Sequence, residues 1–289
     1  MKVLYATDGF QPAIDAGKVI EAVADRDRNL VEVLAVAEYT PIPASKEDER
    51  ERVEAIAEQA AGGLSVAGFA AEKRTVEGVA HEEIVRRAEE GAFDLVVVGA
   101  GKNSWLGHVL LGSVSTRVLH HAPSSVLIVH GAPDGSPPHG IVVAVDGSRD
   151  SEFAIEALIE LADPRRCAVD VASVAEPVVT PVVGPGGAYV DAEAYEETTS
   201  RIVRAHEGYL RAAIDRLRAA GFPTEGDVLV GHPATQILTQ VTEKDAALAV
   251  VGSRGHGALS RLLLGSVSDR VARHAPATLV ARRAGERSE

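Results

Sequence analysis

Short apolar runs punctuate this chain, and between them lie longer stretches with helical spacing of apolar positions. The run Leu95-Val96-Val97-Val98 is apolar throughout instead of alternating, as expected of a parallel strand covered on both faces. The pattern predicts strands near 2–7, 30–37, 71–77, 94–99 and 125–130, with helices near 12–24, 46–68, 81–91 and 111–121. A second series follows, with strands near 140–146, 168–175, 223–230, 247–252 and 277–281 and helices near 151–162, 191–220, 233–243 and 266–274. Such alternation implies right-handed crossovers and an α/β, doubly wound, Rossmann-like sheet. Ligands in these sheets bind beyond the carboxyl ends of the strands, where strand order reverses. Asp146, Val174 and Gly252 all fall at predicted strand ends and converge there.

The two series are copies of one another. Val3-Leu4-Tyr5-Ala6-Thr7-Asp8-Gly9 matches Ile141-Val142-Val143-Ala144-Val145-Asp146-Gly147, and Leu110-Leu111-Gly112-Ser113-Val114-Ser115 matches Leu263-Leu264-Gly265-Ser266-Val267-Ser268. His121-Ala122-Pro123 recurs as His274-Ala275-Pro276. A repeat of this size is a domain and not a solenoid unit. The expected division is a first domain over 1–131, a linker over 132–139 rich in Gly and Pro, and a second domain over 140–282. The second copy alone carries an extra segment, Pro177 to Val190, which reads equally as a lid or as an ordinary surface insertion.

The chemistry sits after the fourth strand of each copy. Gly252-Ser253-Arg254-Gly255, nine residues, then Gly265-Ser266 follows an apolar run and opens a helix. Glycines admit close main-chain approach, and a helix start offers unpaired N–H groups at the positive end of its dipole. That is a phosphate-binding layout. In the first copy Gly99-Ala100-Gly101-Lys102, nine residues, then Gly112-Ser113 takes the matching place, with Lys102 where Gly255 stands. It is not a Walker A loop, because Val96 and Asn103 break the required spacing. Lys102 reads either as a point charge for phosphate or as a block to close approach. Arg254 reads as a triphosphate contact or a solvated side chain. Asp8 and Asp146 read as nucleoside contacts or as turn and cap residues. Trp105 reads as packing at the domain contact.

Composition narrows the partners. The net charge of −13 and a pI near 5.3 disfavour nucleic acid and anionic membranes. The single cysteine, Cys167, permits no intrachain disulfide and fits a reducing cytoplasm. No signal-peptide layout and no apolar run of membrane-spanning length is visible. The histidines show no metal-ligand spacing, so no metal site is expected, and no nucleophile–base arrangement points to a catalytic residue.

These motifs together resemble the universal stress protein family: an Asp ending the first strand, Gly-x-x-Gly with nine residues before Gly-Ser, and His-Ala-Pro before the last strand. The resemblance covers nearly the whole chain as two tandem domains. It implies an open five-stranded parallel sheet of order 3-2-1-4-5 in each, and pairing of the last strands, Ser125 to His130 with Thr278 to Ala281, across a pseudo-twofold. Members that keep the glycine pattern bind ATP. Carried over by position, the contacts fall on Ala144, Val145, Asp146, Val174, Val251, Gly252, Arg254, Gly255, Gly265, Ser266, Val267 and Ser268. The first copy offers Ala6, Thr7, Asp8, Val36, Val98, Gly99, Lys102, Gly112, Ser113, Val114 and Ser115, with Lys102 and Phe10 departing from the pattern. The implied function is a cytoplasmic, ATP-binding stress-response sensor or regulator, with Mg²⁺ as companion ion and catalysis slow or absent. A nucleotide-independent scaffold and a slow ATPase are the alternatives. Whether two chains pair further is left open.

Overall fold

The apolar runs become neighbouring strands of one sheet. The computed structural model describes residues 1–38, 44–101, 111–133, 139–177, 182–184, 187–189, 192–255 and 264–283. The first copy supplies β1 (Lys2–Ala6), β2 (Leu30–Glu38), β3 (Ala70–Gly78), β4 (Leu95–Gly99) and β5 (Ser125–Val129). The second supplies β6 (His139–Ala144), β7 (Cys167–Ala175), a small antiparallel pair β8 (Val182–Gly184) and β9 (Gly187–Tyr189), then β10 (Thr224–Val230), β11 (Leu248–Gly252) and β12 (Ala277–Ala281). The hairpin β8–β9 lies inside the extra segment, where the sequence predicted no strand. The helices are α1 (Gln11–Val23), α2 (Ala44–Val66), α3 (Ala80–Glu90), α4 (Ser113–His121), α5 (Arg149–Leu161), α6 (Ala192–Ala219), α7 (Pro233–Glu243) and α8 (Ser266–His274). Among the described residues no helix is long and apolar enough to cross a membrane.

The ten main strands run in the order β3-β2-β1-β4-β5-β12-β11-β6-β7-β10, so each copy has the expected 3-2-1-4-5 order. Every neighbouring pair is parallel except β5 and β12, which pair antiparallel with Leu127 opposite Leu279. Successive side chains on a strand point to opposite faces. Val3 and Tyr5 accordingly pack under α1 and α2, in one core shared with α5 and α6. Leu4 and Ala6 pack on the other face, in a core shared with α3, α4, α7 and α8. Strands such as Leu95–Val98 and Val126–Val129 are almost wholly buried, which is why their runs show no polar alternation.

The seam between the copies carries more than the β5–β12 ladder. Arg28 donates to Ile159 O at 3.0 Å and to Ala162 O at 2.8 Å, and Asn29 Nδ2 donates to Leu161 O at 2.9 Å. The Asp25 amide bonds to Leu161 O and the Asp163 amide to Val23 O. At the other end Arg282 donates to Leu119 O at 3.2 Å and Ala122 O at 2.9 Å, closing the last turn of α4. His130 plays the same part for α8, donating from Nε2 to Ala272 O at 2.9 Å. Burial lowers the affinity of His130 for a second proton.

Glycine marks the closest approach of helix to sheet. A Cβ on Gly99 would stand 2.5 Å from Ala13 N, and one on Gly252 would stand 2.6 Å from the Asp150 carbonyl carbon. The first turns of α1 and α5 thus lie directly against these strand ends. The two glycines thus admit a helix as well as lining the cavities, a packing duty the sequence reading did not assign them. Gly252→Ala is therefore expected to cost on the order of 1–3 kcal/mol without any ligand. Gly208→Ala is the control, because a Cβ there meets nothing within 4 Å inside α6, and it should leave stability equal or raised. Thermal melts of the two variants check this contrast.

Two buried carboxylates at the seam make the fold acid-sensitive. Burial would raise the Asp25 carboxyl, but hydrogen bonds from the Arg28 side chain and the Asp27 and Arg28 amides outweigh it and hold it below its usual value. The Arg165 side chain, helped by its amide, holds Asp163 low against burial. A depressed carboxyl contributes stability that is present above its unfolded value, near pH 4, and lost as pH falls through the folded value. The melting temperature should hold between pH 7 and about 5 and fall steeply below about 4. Asp163→Asn should lower it at pH 7 and flatten the acid limb, as read by circular dichroism.

Candidate functional site

Each copy forms a cavity at the carboxyl ends of its central strands. In the second copy the cavity holds about 450 Å³. Its floor is Ala144, Val145 and Asp146 at the end of β6, with Ala172, Val174 and Glu176 from β7. One wall is Val251, Gly252, Arg254 and Gly255 after β11, then Gly265, Ser266, Val267 and Ser268 at the start of α8. The other is Ile202 and His206 of α6, with Ser151, Pro233 and Ile237 alongside. All twelve positions carried over to this copy line the one cavity.

The start of α8 faces it uncapped. Gly265 occupies the cap position in extended conformation with no side-chain hydrogen bond. The first amides of a helix have no intrahelical partner, so Ser266, Val267 and Ser268 bring N–H groups and the positive dipole end to this wall. The hydroxyl of Ser268 is committed elsewhere, donating to Gly252 O at 2.6 Å. It ties the helix to the strand, and what it offers the cavity is its amide. Gly265 N–H bonds to Ser253 O at 2.9 Å, closing the loop.

Asp146 serves the turn and the cavity at once. Its Oδ1 accepts from the Ser148 amide at 2.9 Å, while a Cβ on Gly255 would stand 2.5 Å from its Oδ2. The carboxylate therefore lies against the glycine loop, and a side chain at 255 would have to displace it. Arg254 is neither solvated nor a lone cation, because its Nε donates to Asp150 Oδ2 at 3.1 Å. Ser253 Oγ donates to the same oxygen at 2.7 Å. Asp150 thus gathers both central residues of the glycine turn.

The first copy's cavity is smaller, about 320 Å³. Ala6, Thr7, Asp8, Val36, Val98, Gly99, Gly112, Ser113, Val114 and Ser115 line it. Lys102, Trp105, His108 and His256 lie outside the described residues. Asp8 forms the same turn, accepting from the Phe10 amide at 3.1 Å, and Ser115 Oγ donates to Ala100 O at 2.8 Å. The differences form a set. Pro12, Ala100 and Gly101 stand where Asp150, Ser253 and Arg254 stand, so the polar gathering of the turn is lost as a whole. On the helix wall Glu49 and Arg52 line the cavity, joined by an ion pair at 2.7 Å.

Sequence reasoning passed over the helix walls: Ser151, Ile202 and His206 in one copy, Glu49 and Arg52 in the other. A signal existed, since aligning α2 with α6 puts His206 opposite Val53 on a face otherwise apolar. No cluster of three or more side chains able to hold a metal ion occurs among the described residues.

Comparison with known proteins identifies the family and the fold. The profile of the universal stress protein family matches residues 1–130 and again 139–282. A universal stress protein of Mycolicibacterium smegmatis is 35% identical over 185 residues, covering 63% of this chain and 58% of the relative. One from Mycobacterium tuberculosis is 32% identical over 197 residues, covering 65% and 61%. The matched region thus spans about three fifths of these relatives. The crystal structure of a universal stress protein from Archaeoglobus fulgidus superimposes with a TM-score of 0.67 at 23% identity, covering 99% of this chain and 97% of that one, a likeness of fold. With the family profile matched once in each copy, the chain belongs to the universal stress protein family as a tandem of two repeats.

Proposed function

We propose that the chain binds ATP in its C-terminal cavity and acts as a nucleotide-dependent regulator of a cytoplasmic stress response. The domain limits we adopt are 1–131 and 140–282, with 132–139 as linker. The observation that carries the reading is the uncapped start of α8, set across one cavity from Asp146 and Val174. The phosphates lie on the α8 and glycine-loop side, and the nucleoside lies toward β7 and α6.

The carboxylates of Asp146 and Glu176 line the same cavity, and Arg254 is already paired with Asp150. A bare triphosphate would come close to these two carboxylates. Mg²⁺ fits this donor set as an ion carried by the phosphates, with Asp146 as a carboxylate neighbour. Its chemistry at this site is charge neutralisation.

The N-terminal cavity is the weaker or differently selective one. Replacement of the Asp150, Ser253 and Arg254 set by Pro12, Ala100 and Gly101 favours a scaffold role for that copy. Rapid hydrolysis would need a residue to position the attacking water, and slow turnover is part of the proposal.

Calorimetric titration of the full chain with ATP and Mg²⁺ tests the reading. The expected dissociation constant is micromolar, about −8 kcal/mol. Gly255→Asp should weaken binding at least about a hundredfold, because its carboxylate arrives beside that of Asp146. An intact chain that takes up no ATP overturns the proposal.

A further inference from the structure

One carboxylate on the wall of the C-terminal cavity is left open by the fold. Ala172, Val174 and Glu176 all line that cavity. They stand two apart, the first two in β7 and the third directly after it, so they share one face of the sheet. The same alternation that turns the two apolar side chains to the cavity turns Glu176 to it as well. Asp146, the other carboxylate on the wall, already accepts from the Ser148 amide at 2.9 Å. Glu176 is exposed, and among the described residues no hydrogen bond or ion pair engages it.

The first copy repeats the arrangement. Leu34, Val36 and Glu38 line its cavity, again two apart on one face, and Glu38 is the last residue of β2. Glu38 too is exposed and without a partner among the described residues. The copies have exchanged the residues of the glycine turn and of the helix wall, yet each sets one open carboxylate at the end of its second strand. What this position offers in both is a pair of acceptor oxygens at the cavity wall.

A carboxylate accepts hydrogen bonds and donates none. The matching part of a ligand must therefore bring N–H or O–H groups, and a phosphate tail brings none. Ala172, Val174 and Ile237 form an apolar seat for a base. Glu176 stands two residues, about 6.6 Å, beyond Val174 in the carboxyl direction of the strand, close to the span from a base to the diol of its ribose. In dinucleotide-binding sheets of this doubly wound class an acidic residue takes a ribose hydroxyl. We propose that Glu176 is a specificity-determining residue of the C-terminal cavity, its carboxylate accepting hydrogen bonds from the vicinal hydroxyls of a ribonucleotide. The proposal rests on the nucleotide reading above and goes further, to the sugar. A deoxynucleotide leaves one carboxylate oxygen without its donor, and the loss is moderate because that oxygen, being exposed, returns to water.

The test uses the full chain with Mg²⁺, titrated with ATP, 2′-deoxy-ATP and inosine triphosphate, as wild type, Glu176→Ala and Glu176→Gln. Circular dichroism verifies the fold of both variants. The wild type should hold ATP about tenfold tighter than 2′-deoxy-ATP. Glu176→Ala should bring that ratio near one while 2′-deoxy-ATP binds as well as before or better, which a merely structural defect would not do. Glu176→Gln keeps one acceptor oxygen and should retain part of the preference. Wild-type chain that binds ATP and 2′-deoxy-ATP equally, or a preference that survives Glu176→Ala, overturns this proposal and leaves the nucleotide reading standing. So does a Glu176→Ala chain that loses discrimination between ATP and inosine triphosphate instead, since the carboxylate then reads the base. Binding of none of the three by the wild type overturns both.

Discussion

The antiparallel contact between β5 and β12 is the constraint on which the molecule turns. Both strands are buried along their length, and a strand so apolar cannot stand as a free edge without inviting another chain. Pairing them removes the edge from both copies at once. It also reaches the cavities. The helix whose start lines each cavity is fastened at its far end by a side chain from the other copy, α4 by Arg282 and α8 by His130. Arg282 brings a cation to carbonyls at the negative end of the α4 dipole, although burial lowers its proton affinity. The two cavity-facing helix starts are therefore set by the seam as much as by their own loops.

Against this shared frame the copies diverge in coherent groups. The turn after β11 is gathered by Asp150, and the turn after β4, with Pro12, Ala100 and Gly101, has no polar group to gather. A single exchange in such a network leaves a buried polar atom without its partner, which costs more than exchanging all members together. The same logic covers Ser173, 2.8 Å from His206, against Ala35 with Val53 in one apolar cluster. Each copy is internally consistent, and the two cavities differ by whole groups of residues and not by single exchanges.

The fold was legible because its signals are local. Unbroken apolar runs named the central strands, and the internal repeat settled the division into two copies. The glycine spacing named the loop and strand-end residues that line each cavity. The meaning of Gly99 and Gly252 was not legible, because the atom that excludes a Cβ belongs to a helix more than eighty residues earlier in sequence. Nor was the tether of Arg254 to Asp150, for the same reason. His206 was missed because a lone histidine in a helix carries no spacing signal. Its alignment with Val53 of the first copy is its one mark in the sequence, and its three-dimensional neighbours, Ser173 and Tyr209, show what it packs with.

The acidic character of the chain bears on how an anion could be held at all. With a net charge of −13, long-range electrostatics oppose a triphosphate. Fixed dipoles act at short range, where that field matters less. A main-chain N–H bonded to a charged acceptor contributes about 1.5–3 kcal/mol, so the three amides opening α8 are of the right size for micromolar binding. The carboxylates of Asp146 and Glu176 subtract from this unless a cation accompanies the phosphates. On the proposed reading the amides of α8 attract the phosphate tail and the carboxylates oppose it, so binding would depend on the ion as well as on the nucleotide.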